Sequence, residues 1–537
     1  MHSSSKKMEI WSSLEKHYSA ISQKSLNELF NENPDRGSDF STSFENLWID
    51  ISKQLVDSKT IELFSDLAEE SKVNQFFLDM MAGNPVNLTE KKPALHTALR
   101  APKDAKILVD GKNVVPEVIK TLEKMEEFSH RIRNKKLLGA TGAPITSVVA
   151  LGIGGSNLGL SMAHKALSKF THTEITIEFC SSIDAVDLAQ TLDGLNPETT
   201  IFVVTSKSFN TKETLVLMEN AKEWLNNSID ITGLSKHLVG ITSSRDRAIN
   251  SGIEESMIFE LPDWVGGRFS LSSAAGLVLM ISIGPDEFFH LLSGMNKIDN
   301  KTVSEPFESN GTLILALTDI WNRSFLNYPT MSVIPYSNQM SYFPSYLQQL
   351  MMESLGKSSR TDGHELGSSI GSVIWGAIGT ESQHAFFQFL HQGTDVVPCE
   401  MIGFASPYDP SHQEQQNSLF ANLLAQSEAL AFGSDAEKED SMHNKKLKGN
   451  RPSTVILAPK LTPFILGQLI ALYEHRTVAS GIVWGVNPFD QWGVELGKSI
   501  AVNIELEIND NSSSKIKTVR NSSSEKLLEK FRTFRDI

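Results

Sequence analysis

Only two cysteines, Cys180 and Cys399, occur in the 537 residues. Neither has a CxxC or Cys/His spacing around it. That argues against a disulfide framework or a zinc site and fits a reducing compartment. A basic surplus is missing too: 49 Lys and Arg stand against 64 Asp and Glu, a net charge of −15. Non-specific nucleic-acid binding draws on a basic surface, so no such partner is expected. An anionic ligand would need a locally built site rather than a global field. No apolar run is long enough for a bilayer. The most apolar window, residues 271–284, is followed by Pro285. The N-terminal stretch MHSSSKKMEIWSSLEKHYSA has no apolar run of signal-peptide type. These absences predict a cytoplasmic protein with no membrane partner.

What is present is an ordinary globular composition, with 40% hydrophobic and 21% charged residues. At about 150 residues per domain, the length suits three or four modules, or two large ones. Residues 11–30 and 43–70 carry apolar side chains at helical spacing. From residue 145 the pattern changes. Short β-branched runs at 147–153, 175–180, 200–206, 237–242 and 256–261 alternate with helical stretches at 158–170 and 211–225. A second alternation follows, with strands expected at 331–336, 368–379, 396–404, 453–459 and 481–486 and helices at 415–432 and 462–480. Strands alternating with helices predict parallel sheets covered on both faces. The expected plan is a helical segment over 1–105, an α/β domain over 106–285, a second over 286–505 and an arm over 506–537. A charged loop is expected at 433–452 and a Ser-rich stretch in the tail.

Six segments hold residues suited to chemistry. LGIGGSNLG (151–159) places Gly155 and Ser156 at a strand-to-helix turn, where N–H groups can approach an anion. Asn157 stands where a dinucleotide fingerprint needs its third glycine. TSKSFNTKET (205–214) sets Ser206, Lys207, Ser208 and Thr211 at another helix start. That is an anion cradle, or simple N-capping by Ser208 or Asn210. Arg268 follows Gly266-Gly267 and precedes an apolar stretch, either in a cleft where it meets an oxyanion or in a surface ion pair. Gln349 and Glu353, four apart, share a helix face. Glu353 among apolar neighbours is a base or mere decoration of an amphipathic helix. His384 heads an apolar stretch after the turn GTES, and His suits proton transfer near neutrality. Gln491 and Lys498, seven apart, share a face of a further helix.

Taken in order, these segments closely resemble the phosphoglucose isomerase family. LGIGGSNLG, VVTSKSFNTKET, DWVGGRFSLSSAAGL, YLQQLMMESLGK, GTESQHAFFQFLHQGTD, GNRPSTVILAPKLTPF and FDQWGVELGK carry the resemblance from about residue 150 to 500, and EKKPALHTALR (90–100) extends it upstream. The resemblance implies two sugar-isomerase α/β domains, each a mainly parallel sheet flanked by helices. It implies interconversion of glucose 6-phosphate and fructose 6-phosphate without cofactor or metal. It makes Glu353 the base that moves a proton between C1 and C2, and Arg268 the support of the enediolate. His384 would assist ring opening with Lys498 nearby. Gly155, Ser156, Ser206, Lys207, Ser208 and Thr211 would hold the phosphate, with Gln349 and Gln491 lining the substrate. It further implies a homodimer in which His384 reaches the neighbouring subunit's site.

The chain departs from the family pattern at Ser208, Asn210 and Leu160, at Met351 and Leu355 beside Glu353, and at Glu381-Ser382 before His384. Ser208 keeps a hydroxyl and Asn210 a donor, so phosphate binding is expected to survive. Met351 and Leu355 are expected to make the surroundings of Glu353 more apolar, and Glu381-Ser382 to alter the loop of His384. Three other readings compete: a non-catalytic sugar-phosphate sensor, a nicotinamide-dependent dehydrogenase suggested by Gly152 and Gly154, and a ketol-isomerase for another sugar phosphate such as mannose 6-phosphate.

Overall fold

A computed structural model describes residues 5–434, 445–509 and 521–535. The middle of the expected charged loop and the Ser-rich part of the tail lie outside them. The chain forms two compact units, residues 1–489 and 490–537.

The first unit opens with helices and a hairpin of β1 (Ser41–Phe44) and β2 (Leu47–Asp50). A two-residue-strand hairpin follows, β3 (Leu108–Val109) with β4 (Lys112–Asn113). Next come β5 (Ser147–Leu151), β6 (Thr176–Cys180), β7 (Thr200–Thr205), β8 (Leu238–Thr242) and β9 (Ile258–Glu260). They pair in parallel as one sheet, in the order β6-β5-β7-β8-β9. Every residue of β5, β7 and β8 is buried. That is why these strands read as unbroken β-branched runs: helices cover both faces, so neither face needs polar residues.

The second sheet takes β10 (Thr330–Pro335), β11 (Val373–Trp375), β12 (Cys399–Phe404) and β13 (Ser453–Ala458), all parallel, and adds β2 and β1 antiparallel at one edge. The hairpin corrects the expectation of a helix through residues 43–50. Leu47 and Ile49 are buried while Trp48 between them is exposed, a two-residue period that pairing against β13 rewards. The strand expected over 368–379 shrinks to the three residues of β11. No strand forms at 481–486. The helix Pro463–Trp484 runs through most of that segment and ends at Gly485, whose φ of 77° serves as a left-handed cap.

Almost every residue of Pro463–Trp484 is buried, including the consecutive Glu474, His475 and Arg476. Buried charges must be paired, and these are. Arg100 grips Asp299 with two hydrogen bonds of 2.7 and 2.8 Å and Glu474 with one of 2.8 Å. His475 Nε2 lies 2.6 Å from Asp299. Arg476 holds Asp319 at 2.6 and 2.7 Å and Glu400 at 2.7 and 2.9 Å. Burial alone would raise the Asp299 carboxyl, but the Arg100 guanidinium and His475 together outweigh it and hold the group below the usual carboxylate range. These contacts tie the segment His96–Arg100 and the helix Pro285–Ser304 to the central helix.

In the second unit, helices Glu495–Asn509 and Ser522–Arg535 expose Leu496, Ile500, Leu506, Leu527, Phe531 and Phe534. Among the described residues no helix is long and apolar enough to cross a membrane.

Candidate active site

In the first sheet the chain leaves β5 for β6 on one side and returns to β7 on the other. The order reverses between β5 and β7, and a crevice opens at the carboxyl ends of strands at such a switch point. The loops leaving these two strands are 152–157 and 206–211, the two polar helix starts of the sequence. Neither following helix, Leu158–Ala166 or Lys212–Asn226, has a side-chain cap. Capping by Ser208 or Asn210 is therefore excluded. Thr211 occupies the N-cap position, and its hydroxyl accepts a hydrogen bond from Ser206 at 3.1 Å. First-turn N–H groups without a side-chain cap, at the positive ends of two helix dipoles, favour an anion. Not every loop N–H is available: that of Ser206 donates to Ile241 and that of Phe209 to Ser206.

The 152–157 loop is pressed against the Arg268 segment. A Cβ on Gly155 would fall 2.4 Å from the carbonyl carbon of Gly267 and 2.8 Å from the nitrogen of Arg268. Only glycine permits that approach. At Gly154, φ is 58°, and a Cβ would sit 3.2 Å from Nε2 of Gln349. Gln349 thus comes beside this loop.

Arg268 is buried, with 4% of its surface exposed, so it is no surface ion-pair residue. Its Nε donates to Ser354 Oγ and its Nη2 to the Pro488 carbonyl, both at 2.6 Å. Its Nη1 faces Glu353 Oε2 at 3.3 Å. The Glu353 side chain keeps 22% exposure, so a carboxylate lies at the surface of the cleft, backed by a fixed cation. It is not decoration on a helix. Gln348–Glu353 is a π-helical stretch, a form concentrated at functional sites. Its wider turn means that ordinary four-residue spacing does not set how Gln349 faces Glu353. Met351 and Leu355 are buried in the core. They lie two residues either side of Glu353, where a helix points side chains away from it, so they are the footing of this segment.

Lys207 does not extend freely into the crevice. Its ammonium donates to the carbonyls of Asp263 and Val265 at 2.8 and 2.9 Å. Ser156 is half-buried, Ser206 buried and Ser208 exposed. GTES is not a turn but belongs to the short helix Gly379–Gln383, with the buried Ser382 hydroxyl bonded to the Ile378 carbonyl at 2.7 Å. His384 follows at its C-cap and is exposed; no hydrogen bond or ion pair joins its ring to Glu353 or Arg268. Gln491 and Lys498 belong to the second unit. Lys498 is exposed there and pairs with Glu495 at 2.8 Å.

Sequence reasoning missed Ser354 and Pro488. Ser354 adjoins Glu353 and was legible by adjacency. A proline carbonyl carries no signature in any sequence.

The fold is that of an α/β protein of the sugar-isomerase type. A family model described as phosphoglucose isomerase matches residues 50–528. The chain belongs to the phosphoglucose isomerase family. It is 43% identical to a glucose-6-phosphate isomerase of Rhodococcus opacus (strain B4) over 509 residues, 92% of each chain. It is 41% identical to one of Mycolicibacterium paratuberculosis (strain ATCC BAA-968 / K-10) over 537 residues, 98% of this chain and 97% of that one. A crystal structure of a glucose-6-phosphate isomerase from Chlamydia trachomatis superposes with a TM-score of 0.86 at 32% identity, covering 98% of this chain and 99% of the other.

Proposed function

We propose that the protein catalyses the reversible isomerisation of D-glucose 6-phosphate and D-fructose 6-phosphate by ring opening and proton transfer through an enediolate. The observation that carries the site reading is the Glu353 carboxylate at the mouth of the cleft, 3.3 Å from the buried Arg268 guanidinium. Moving a proton between neighbouring carbons takes a carboxylate base beside the substrate. The charge that develops on the substrate oxygens takes a preorganised positive donor, and such donors contribute about 2.7–4 kcal/mol in comparable oxyanion sites. Glu353 is the base, and Arg268 stabilises the enediolate. The phosphate does not react. It anchors the substrate, so the loops of Gly155-Ser156 and Ser206–Thr211 hold it with hydroxyls and N–H groups and position the reacting carbons. By the resemblance, Gln349 and Gln491 would line the sugar, and His384 and Lys498 would serve ring opening.

The test is a coupled assay with fructose 6-phosphate as sole substrate. Steady production of glucose 6-phosphate is the expected result, and none from folded protein would overturn the reading.

The same proposal includes a cytoplasmic homodimer in which His384 completes the site of the neighbouring subunit. An exposed His384 ring supports it. The two buried, unpaired cysteines suit a reducing compartment. Inactive Glu353→Gln and His384→Ala subunits are to be mixed and reassembled. Shared sites predict that heterodimers regain about half the activity per dimer of the wild type, because one of two sites is then intact; no recovery would refute sharing.

A further inference from the structure

Lys207 sits in a polar helix start facing an anion crevice, yet its charge is turned elsewhere. Two of the three N–H donors of its ammonium go to the carbonyls of Asp263 and Val265. The carbonyl between them, of Trp264, accepts the N–H of Leu95 at 3.1 Å. Three consecutive peptide units are thus pinned immediately before Gly266-Gly267-Arg268.

Lys207 is itself immobilised at the other end. Its own carbonyl accepts three hydrogen bonds, from the Ser243 N–H at 3.0 Å, the Ser243 hydroxyl at 2.8 Å and the Thr242 hydroxyl at 2.9 Å. Two residues on, Phe209 is held buried at a φ of 46°, a left-handed conformation that a bulky side chain adopts only under surrounding constraint. The next carbonyl, of Ser208, accepts from Arg247 at 2.9 Å.

The result is a short mechanical path. It runs from the loop 206–211 through the Lys207 ammonium to residues 263–265, across two glycines to Arg268, and from Arg268 to Glu353. The opposite loop joins the same segment through the close approach of Gly155 to Gly267 and the hydrogen bond of Ser270 Oγ to the Gly155 carbonyl at 3.4 Å. Gly266-Gly267 has no side chains to hold its course, so its neighbours must fix where Arg268 emerges.

We propose that Lys207 is a positioning residue, whose ammonium clamps the 263–265 carbonyls so that the loop holding the phosphate sets the place of the Arg268 guanidinium. This rests on the isomerase reading and goes beyond it: the lysine couples anchoring to chemistry and is not a phosphate ligand through its side chain. Burial lowers its proton affinity below that of a free lysine, and the two carbonyls supply the partners a half-buried ammonium needs.

The experiment compares Lys207→Met and Lys207→Arg with the wild type. It reads kcat and KM for fructose 6-phosphate, the inhibition constant of inorganic phosphate, and the rise in thermal midpoint that phosphate produces. A displacement of about 1 Å in a catalytic group costs on the order of 100-fold. Lys207→Met is therefore expected to lower kcat roughly 10- to 100-fold. The phosphate inhibition constant should stay within about 3-fold of the wild type, well short of the tenfold change that losing about 1.4 kcal/mol of binding would give. Lys207→Arg, whose fork can also span two carbonyls, should restore much of kcat.

An inhibition constant that rises at least about 10-fold while kcat holds would make Lys207 a direct phosphate ligand and overturn the proposal. Equal loss in kcat from both variants would overturn it too. Should Lys207→Met fail to fold, Lys207→Gln, able to reach one carbonyl, is read by the same constants. A wild type without turnover defeats the isomerase reading itself. A wild type with turnover, beside a Lys207→Met whose kcat is unchanged, defeats only the role of Lys207.

Discussion

Glu353→Gln is expected to lower kcat by about 10²- to 10⁴-fold, the range a positioned general base contributes. The carboxamide matches the carboxylate in size and keeps an oxygen that can face Arg268 Nη1. Arg268 remains held by Ser354 and Pro488. Met351 and Leu355, which seat this helix in the core, are untouched. The thermal midpoint should therefore stay close to that of the wild type, and KM should change little, because the loops proposed to hold the phosphate are untouched. What disappears is the group proposed to take a proton from carbon. Exchange of the C2 proton of glucose 6-phosphate with heavy water should fall by the same factor as turnover. Unimpaired activity in Glu353→Gln would remove the base assignment. A large rise in KM with kcat preserved would make Glu353 a binding residue instead.

The second large effect is on stability. Arg476→Met should destabilise the fold by about 3–5 kcal/mol, the range found when one partner of a buried ion pair is removed. Arg476 is 1% exposed, and its guanidinium satisfies both Asp319 and Glu400. Methionine fills much of the volume but leaves two carboxyl groups in the core. Tyr473, which donates to Glu400, relieves only one of them.

The pH dependence gives the loss a signature. Burial already pushes the Asp319 carboxyl above its ordinary range, against the pull of Arg476, and removing that pull raises it further. A carboxyl raised in the folded state binds its proton more tightly there than in the unfolded chain. Its penalty is absent below the unfolded value near 4 and grows as the pH rises through the folded value. The gap in thermal midpoint between Arg476→Met and the wild type should accordingly widen from pH 5 to pH 8. A gap below the equivalent of about 1 kcal/mol at neutral pH would mean that water reaches these charges and that the cluster is not a buried one.

Much of the fold was legible because β5, β7 and β8 are covered on both faces and so read as continuous apolar runs. The edge hairpin of β1 and β2 was not, since its strands are four residues each and only pairing with β13 selects them. The segment 481–486 has the composition of a strand, yet it prolongs a helix that has already been nucleated and packed. Residue identities at the candidate site, from Gly155 and Ser156 to Arg268 and Glu353, were visible as polar or charged groups in apolar or glycine-rich surroundings.

The sequence by itself determined the alternation of elements, the acidic balance with its requirement for a local anion site, and the ordered segments that mark the family. Tertiary structure alone decided the rest: the reversal of strand order between β5 and β7, the burial of Arg268 against Ser354 and Pro488, and the turning of Lys207 onto two carbonyls. The physical reason is range. Propensity and periodicity act over a few residues, whereas Arg268 meets a carbonyl 220 positions along the chain, and only the packed core brings the two together.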